Sequence, residues 1–101
     1  MKVGVTGGSG FVGSHLAHQL QEEGHEVFVI DLKKPTVEGV TWLKANLLDV
    51  DTLTKSFDGL NVVYHLAAIA DASLAYKDYS TTFDINVIGT LNVLEAARLT
   101  K

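Results

Sequence analysis

Three glycines spaced G-x-x-G-x-x-G constrain this 101-residue chain more than any other feature: Gly7, Gly10 and Gly13 in Thr6-Gly7-Gly8-Ser9-Gly10-Phe11-Val12-Gly13. Ahead of them, Lys2 to Thr6 has the little-alternating apolar pattern of a short strand buried on both faces. Behind them, Phe11 to Glu23 places Val12, Leu16, Ala17 and Leu20 on one helical face, and Gly24 is positioned to end the helix. A strand that passes through glycines into an amphipathic helix opens a β-α-β crossover, which belongs to a parallel sheet.

The rest of the chain repeats that alternation. Glu26 to Ile30 is a second strand ending at Asp31, and Leu32 to Gly39, with the single proline, is a loop. Val40 to Lys44 is a weaker third strand. Asp49 or Asp51 caps a short helix to about Phe57, Asp58-Gly59 turns, and Val62 to Leu66 is the fourth strand. A loop is expected from Ala67 to about Lys77, then a long helix from Asp78 or Ser80 to Arg98. Right-handed crossovers place the strands in the order 3-2-1-4. The expected fold is α/β, half of a doubly wound Rossmann sheet, with residues 1–101 forming one dinucleotide-binding domain and no second domain.

The glycine spacing has a chemical reading. A pyrophosphate is held by backbone N–H groups at a helix N-terminus, where no side chain intervenes and the helix dipole favours an anion. Gly7 permits the tight turn off the strand, Gly10 lets the backbone approach the phosphates, and Gly13 is expected to let the helix pack close to the sheet. The gap from Gly7 to Gly10 is one residue longer than in the best-known dinucleotide fingerprint. Asp31 stands at the tip of strand two, where a carboxylate accepts from both ribose hydroxyls and repels a 2′-phosphate. This favours NAD over NADP. Lys33 and Lys34 are taken as solvated loop charges.

Other classes are disfavoured. The formal net charge is −4 and Arg98 is the sole arginine, so no basic face exists to neutralise nucleic-acid phosphates. No apolar run reaches membrane-spanning length, no leader-like stretch precedes the first strand, and there are no cysteines, which together suggest a cytoplasmic protein. His15 and His18 lack a carboxylate or thiolate partner, so no metal site is expected. His25 is assigned to a solvated turn. His65, on a buried strand, is expected to pack or to bond a backbone carbonyl and not to act in acid–base chemistry.

Four stretches extend the case beyond the loop: Thr6 to Gly13; Gly13-Ser14-His15-Leu16; Val63-Tyr64-His65-Leu66-Ala67-Ala68; and Asn86-Val87-Ile88-Gly89-Thr90-Leu91-Asn92-Val93-Leu94-Glu95-Ala96-Ala97. In this order they resemble the extended short-chain dehydrogenases/reductases, within them the NAD-dependent sugar-nucleotide epimerases and dehydratases, and most closely the UDP-glucose 4-epimerase-like members. The resemblance implies that Gly7, Gly10, Phe11, Val12 and Gly13 form the pyrophosphate loop and that Asp31 anchors the ribose. It puts the adenine step on Ala45-Asn46-Leu47, with Asn46 in place of the usual Asp and its side-chain oxygen accepting from the adenine amino group. Leu66, Ala67 and Ala68 match the small-residue loop along the cofactor ribose and phosphates, and Asn86 a position that bonds nearby backbone or cofactor. Gly89 would cost about 1 kcal/mol against alanine in a helix interior, which points to close helix packing.

The resemblance also implies a catalytic Tyr-x-x-x-Lys pair. Tyr64, Tyr76 and Tyr79 are followed four residues later by Ala68, Ser80 and Phe83, so no catalytic residue is assigned. The expected function is NAD(H) binding as the cofactor half of such an enzyme, truncated at Lys101 at the end of a helix and inactive alone. A stand-alone NAD(P)-sensing module and a half-fold assembly unit are the alternatives. The outer edge of strand four and the apolar faces of the final helix predict a homodimer or higher assembly through either, or through exchanged C-terminal elements.

Overall fold

A computed structural model describes residues 1–69 and 72–100. In chain order the elements are β1 (Lys2–Thr6), α1 (Phe11–Glu22), β2 (Glu26–Ile30), β3 (Thr41–Leu43), α2 (Val50–Phe57), β4 (Val62–His65), α3 (Ala72–Lys77) and α4 (Tyr79–Phe83), then a π-helical turn (Asp84–Ile88) and α5 (Gly89–Thr100). All strand pairs are parallel and the sheet order is β3-β2-β1-β4, as expected.

β1 is paired on both sides, with Val3 opposite Val27 and Val62, and Val5 opposite Val29 and Tyr64. That central place is why four consecutive residues, Val3 to Thr6, are buried. Alternation along the strands divides the core in two. On one face Val3, Val5, Val27 and Val29 pack against Ala17 and Leu20 of α1. On the other, Ile30 joins Ala45, Leu47, Leu53 and Phe57, with Val93 and Ala96 of α5 closing over them. Each buried Val, Leu, Ile or Phe among them favours folding by roughly 1.5–3 kcal/mol before chain entropy is counted.

Local chemistry sets the element ends. The N–H of Gly24, at φ +90°, donates to the Gln21 carbonyl and that of His25 to the Leu20 carbonyl, satisfying the last turn of α1. Of the two candidate caps for α2 it is Asp49 that serves, accepting from the Thr52 N–H at 3.2 Å and the Thr52 hydroxyl at 2.6 Å. These bonds, the hydroxyl's foremost, hold the Asp49 carboxyl below its ordinary range.

Several expectations need correction. The stretch from Ala67 to Lys77 is not all loop, because Ala72–Lys77 forms α3; Ala70 and Asp71 of that stretch lie outside the described residues. The long helix runs to Thr100 and is interrupted by the π-turn, and the expected end at Lys101 also lies outside them. β3 is shorter than Val40 to Lys44, and β4 stops at His65, leaving Leu66 in the exit turn. Val12, 64% exposed, is not part of the buried stripe of α1, which runs through Gly13, Ala17 and Leu20.

Candidate functional site: the crevice at the carboxyl ends of β1, β2 and β4

The glycine loop is a tight turn folded onto the sheet. Gly7 has φ +71°, its N–H donates to the Ile30 carbonyl at 3.1 Å, and its carbonyl accepts from the Gly10 N–H at 3.0 Å. A Cβ on Gly7 would stand 2.7 Å from the Ala67 nitrogen, so the loop lies directly on the exit turn of β4. The close approach to the sheet is made by Gly8, whose Cβ would sit 2.8 Å from a Val29 methyl. A Cβ on Gly13 would collide with the Gly7 carbonyl oxygen. Gly13 therefore seats α1 on its own loop, not on the sheet as expected.

Gly10 is different. Its Cβ would meet only the Gly7 carbonyl oxygen, at 3.3 Å, and it is exposed. As N-cap of α1 it provides no capping side chain, and the first turn carries no acid. The first-turn N–H groups, including those of Phe11 and Val12, thus point out of the helix toward the opening, as an anion site requires. The Phe11 and Val12 side chains stand at that mouth, the former 82% exposed.

Beside the loop, at the tip of β2, is a cleft of about 120 Å³. Asp31, Asn46, Leu47 and Ala67 line it with Ile30, Leu32, Ala45 and Ile85, so four of the sequence-derived site residues meet in one largely apolar slot. The Asp31 carboxylate is held on both oxygens: Oδ2 accepts from the Ser9 N–H at 3.1 Å and Oδ1 from the Lys33 N–H at 3.0 Å. Ser9 also donates its hydroxyl to the Lys33 carbonyl at 2.6 Å, stapling the glycine loop to the segment after β2. Each carboxylate oxygen keeps a further lone pair for a ligand hydroxyl.

Asn46 is exposed, and its Oδ1 accepts from the Leu48 N–H at 2.9 Å in a side-chain-closed turn. The oxygen expected to meet an adenine amino group already serves the backbone, which leaves one lone pair of that oxygen and the amide N–H groups open to a ligand. Leu47 is fixed from behind. Its carbonyl accepts from Asn92 Nδ2 at 2.8 Å, and a Cβ on Gly89 would lie 2.9 Å from the Leu47 Cβ, the close helix packing that glycine implied.

Across the crevice the exit turn of β4 is tied down by side chains distant in sequence. The buried Thr6 hydroxyl accepts from the N–H groups of Leu66 at 3.0 Å and Ala67 at 3.2 Å. It also lies 2.6 Å from His65 Nδ1, and His65 Nε2 is 2.9 Å from the Thr90 hydroxyl. Burial lowers the His65 pKa below its ordinary value. Asn86, in the π-turn, clasps the backbone of Ile69 with both ends of its amide, at 2.7 and 3.0 Å. Leu66 and Ala68 are exposed and, with Asn86, lie outside the cleft lining.

Sequence reasoning did not single out Gly8, Ser9, Thr6, Ile85 or Thr90. The local signal for Thr6 and Ser9 was a hydroxyl at each bend of the glycine turn. Thr90 and Ile85 had none, since His65 and the cleft residues they meet belong to other elements of the fold. Among the described residues no three His, Cys, Asp or Glu side chains gather as a metal site would need, and no helix is long and apolar enough to cross a membrane.

The fold and sequence are similar to those of known proteins. The structure is similar to the UDP-glucose 4-epimerase of Thermus thermophilus in complex with NAD, with a TM-score of 0.89 and 36% identity, covering 99% of this chain and 34% of that one. In sequence it is similar to Protein CapI of Staphylococcus aureus, 35% identical over 97% of this chain and 34% of that protein. It is equally similar to the 2-alkyl-3-oxoalkanoate reductase of Stenotrophomonas maltophilia, 37% identical over 97% of this chain and 30% of that protein. The chain thus spans about a third of the length of these relatives. The profile of the NAD dependent epimerase/dehydratase family matches residues 3–101, essentially the whole sequence, and the chain belongs to that family.

Proposed function

We propose that this chain binds NAD(H) as the cofactor-binding half of a sugar-nucleotide epimerase or dehydratase, in which hydride passes transiently between a UDP- or dTDP-sugar and the nicotinamide. The observation that carries the reading is a juxtaposition. The uncapped N-terminus of α1 and the open face of Gly10 lie on one side, and the tethered Asp31 carboxylate beside an apolar slot lies on the other. Pyrophosphate suits the first, a ribose diol the second, and a flat heteroaromatic base the third. The cradle fits the group because a side chain at Gly10 would occupy the space the phosphates need.

In this reading Gly7, Gly8 and Gly13 shape the loop, and the Phe11 and Val12 N–H groups face the pyrophosphate. Asp31 takes the adenosine ribose, while Asn46 and Leu47 border the base. Ala67, with Leu66 and Ala68, keeps the floor low beneath the cofactor. Residues 1–101 act as one dinucleotide-binding unit in the cytoplasm. Calorimetric titration with NAD and NADP tests the proposal: NAD binds more tightly, and Asp31→Asn narrows the difference. Equal or tighter NADP binding by the wild type would overturn the role of Asp31, and no binding of either would overturn the cofactor reading.

The unit also self-associates in this proposal. Phe83, Val87, Leu91 and Leu94 are 48–63% exposed along one face of the long helix, and β4 is an outer strand of the sheet. A second copy would remove that apolar face and strand edge from water.

A further inference from the structure

The hydroxyls around His65 leave only one consistent assignment of protons. The Thr90 hydroxyl donates its single hydrogen to the Asn86 carbonyl at 2.7 Å, so toward His65 Nε2 it can only accept. Nε2 therefore carries the imidazole proton, and Nδ1 is the bare nitrogen. The Thr6 hydroxyl then donates to Nδ1 across 2.6 Å and accepts from the Ala67 N–H and from the Leu66 N–H, which it shares with the Thr6 carbonyl at 3.1 Å. Every donor and acceptor is matched, and the match exists only for neutral imidazole.

We propose that His65 is a positioning residue for the dinucleotide crevice: as the neutral Nε2–H tautomer it orients the Thr6 hydroxyl to clamp the Leu66–Ala67 turn, and protonation of Nδ1 releases the clamp and weakens cofactor binding. A proton on Nδ1 sets two donors against each other. The Thr6 hydroxyl hydrogen loses its acceptor, and a third N–H on the Thr6 oxygen competes with those of Leu66 and Ala67. Leu66 keeps the Thr6 carbonyl, so the hold that loosens is the hydroxyl's, on which Ala67 relies. The turn so released is the one Gly7 rests on and the one that carries Ala67 into the cleft.

The elements packed against His65 are β1 and the long helix. β1 carries one charge, Lys2, at its opposite end. The helix carries Asp84, Glu95 and Arg98, the last two paired with each other at 2.6 Å. On β4 itself the neighbouring titratable group is Tyr64, which points to the opposite face of the strand. None of these shifts His65; burial alone does so, in the direction that keeps it neutral.

The inference rests on the NAD-binding reading, and the test separates the two. NAD affinity of the wild-type chain is measured by calorimetry from pH 8 to pH 5, beside His65→Gln, which cannot titrate. The wild-type dissociation constant is expected to rise by up to about tenfold per pH unit below the His65 pKa, since one proton must leave for binding. His65→Gln binds more weakly at pH 8 but with a flat profile. Absence of NAD binding by the wild type at pH 8 would overturn the cofactor reading, whereas wild-type binding that stays flat through the His65 midpoint, located by nitrogen NMR on the same protein, would overturn this inference alone. Should His65→Gln fail to fold, nitrogen NMR of the wild type without ligand decides. An Nε2–H tautomer, with Leu66 and Ala67 amide signals that move at the His65 midpoint, supports the clamp; an Nδ1–H tautomer or unmoved amides refutes it.

Discussion

Gly13→Ala isolates the seating of α1 on the glycine loop. In an ordinary helix the change would stabilise by about 1 kcal/mol, because alanine loses less conformational freedom. Here the methyl overlaps the Gly7 carbonyl oxygen and lies 2.8 Å from the Gly7 carbonyl carbon and 2.9 Å from the Gly8 Cα. All three are backbone atoms, and hydrogen bonds from Gly7 to Ile30 and from Gly10 to Gly7 fix them. No rotamer change relieves the overlap, so α1 or the loop must move. Overpacking of this kind costs about 1–3 kcal/mol, and rigid neighbours put it at the upper end. The net loss is about 2 kcal/mol, which for a chain of this size lowers Tm by roughly 8–16 °C. Gly10→Val is the control. Its side chain meets one atom at 3.3 Å and otherwise solvent, so unfolding shifts by no more than about 1 kcal/mol from the poorer N-cap. Thermal unfolding by far-ultraviolet circular dichroism, paired with NAD calorimetry, reads both. Gly13→Ala melts early and binds poorly, while Gly10→Val melts no more than about 4–8 °C below the wild type and loses NAD. A Gly13→Ala chain that melts at or above the wild type, or a Gly10→Val chain that melts as early as Gly13→Ala, would refute the reasoning.

Three further outcomes follow from the same structure. The isolated chain turns over no sugar nucleotide above background, because no tyrosine is followed four residues later by lysine to move the proton that accompanies hydride; turnover co-eluting with pure protein would contradict this. The His65 contribution to stability is fully present above pH 6.5, the ordinary histidine value, and declines as pH falls from there toward the lowered His65 pKa, since in that window the unfolded chain binds the proton that the folded chain excludes. Urea midpoints for wild type and His65→Gln check the sign, and an equal decline in both would assign it elsewhere. Sedimentation at micromolar concentration shows a dimer or larger species, and Leu91→Asp with Leu94→Asp yields a monomer; a monomeric wild type would mean that the exposed face of the long helix needs no cover.

What could be inferred from residues alone was whatever depends on neighbours in sequence. Apolar periodicity and the glycine spacing marked β1, α1, β2 and β4. The handedness of crossovers then allowed one strand order, 3-2-1-4. Asp31 was legible because a parallel sheet delivers the carboxyl ends of its strands to one crevice, whereas the Asn46-Leu47 step came from the family resemblance alone; all three residues line the same cleft. The helix Ala72–Lys77 was not legible, being too short for a periodic pattern to separate it from loop. The π-turn at Asp84–Ile88 left no compositional mark either, yet it sets Asn86 against Ile69. Only packing could show that Gly8 faces Val29 while Gly13 faces Gly7, since both are glycines of one short motif and the sequence does not say what stands opposite each. The Thr6–His65–Thr90 relay belongs wholly to the tertiary structure. Its members come from the first strand, the fourth strand and the last helix, and each is an ordinary polar residue until the fold brings the others within hydrogen-bond reach.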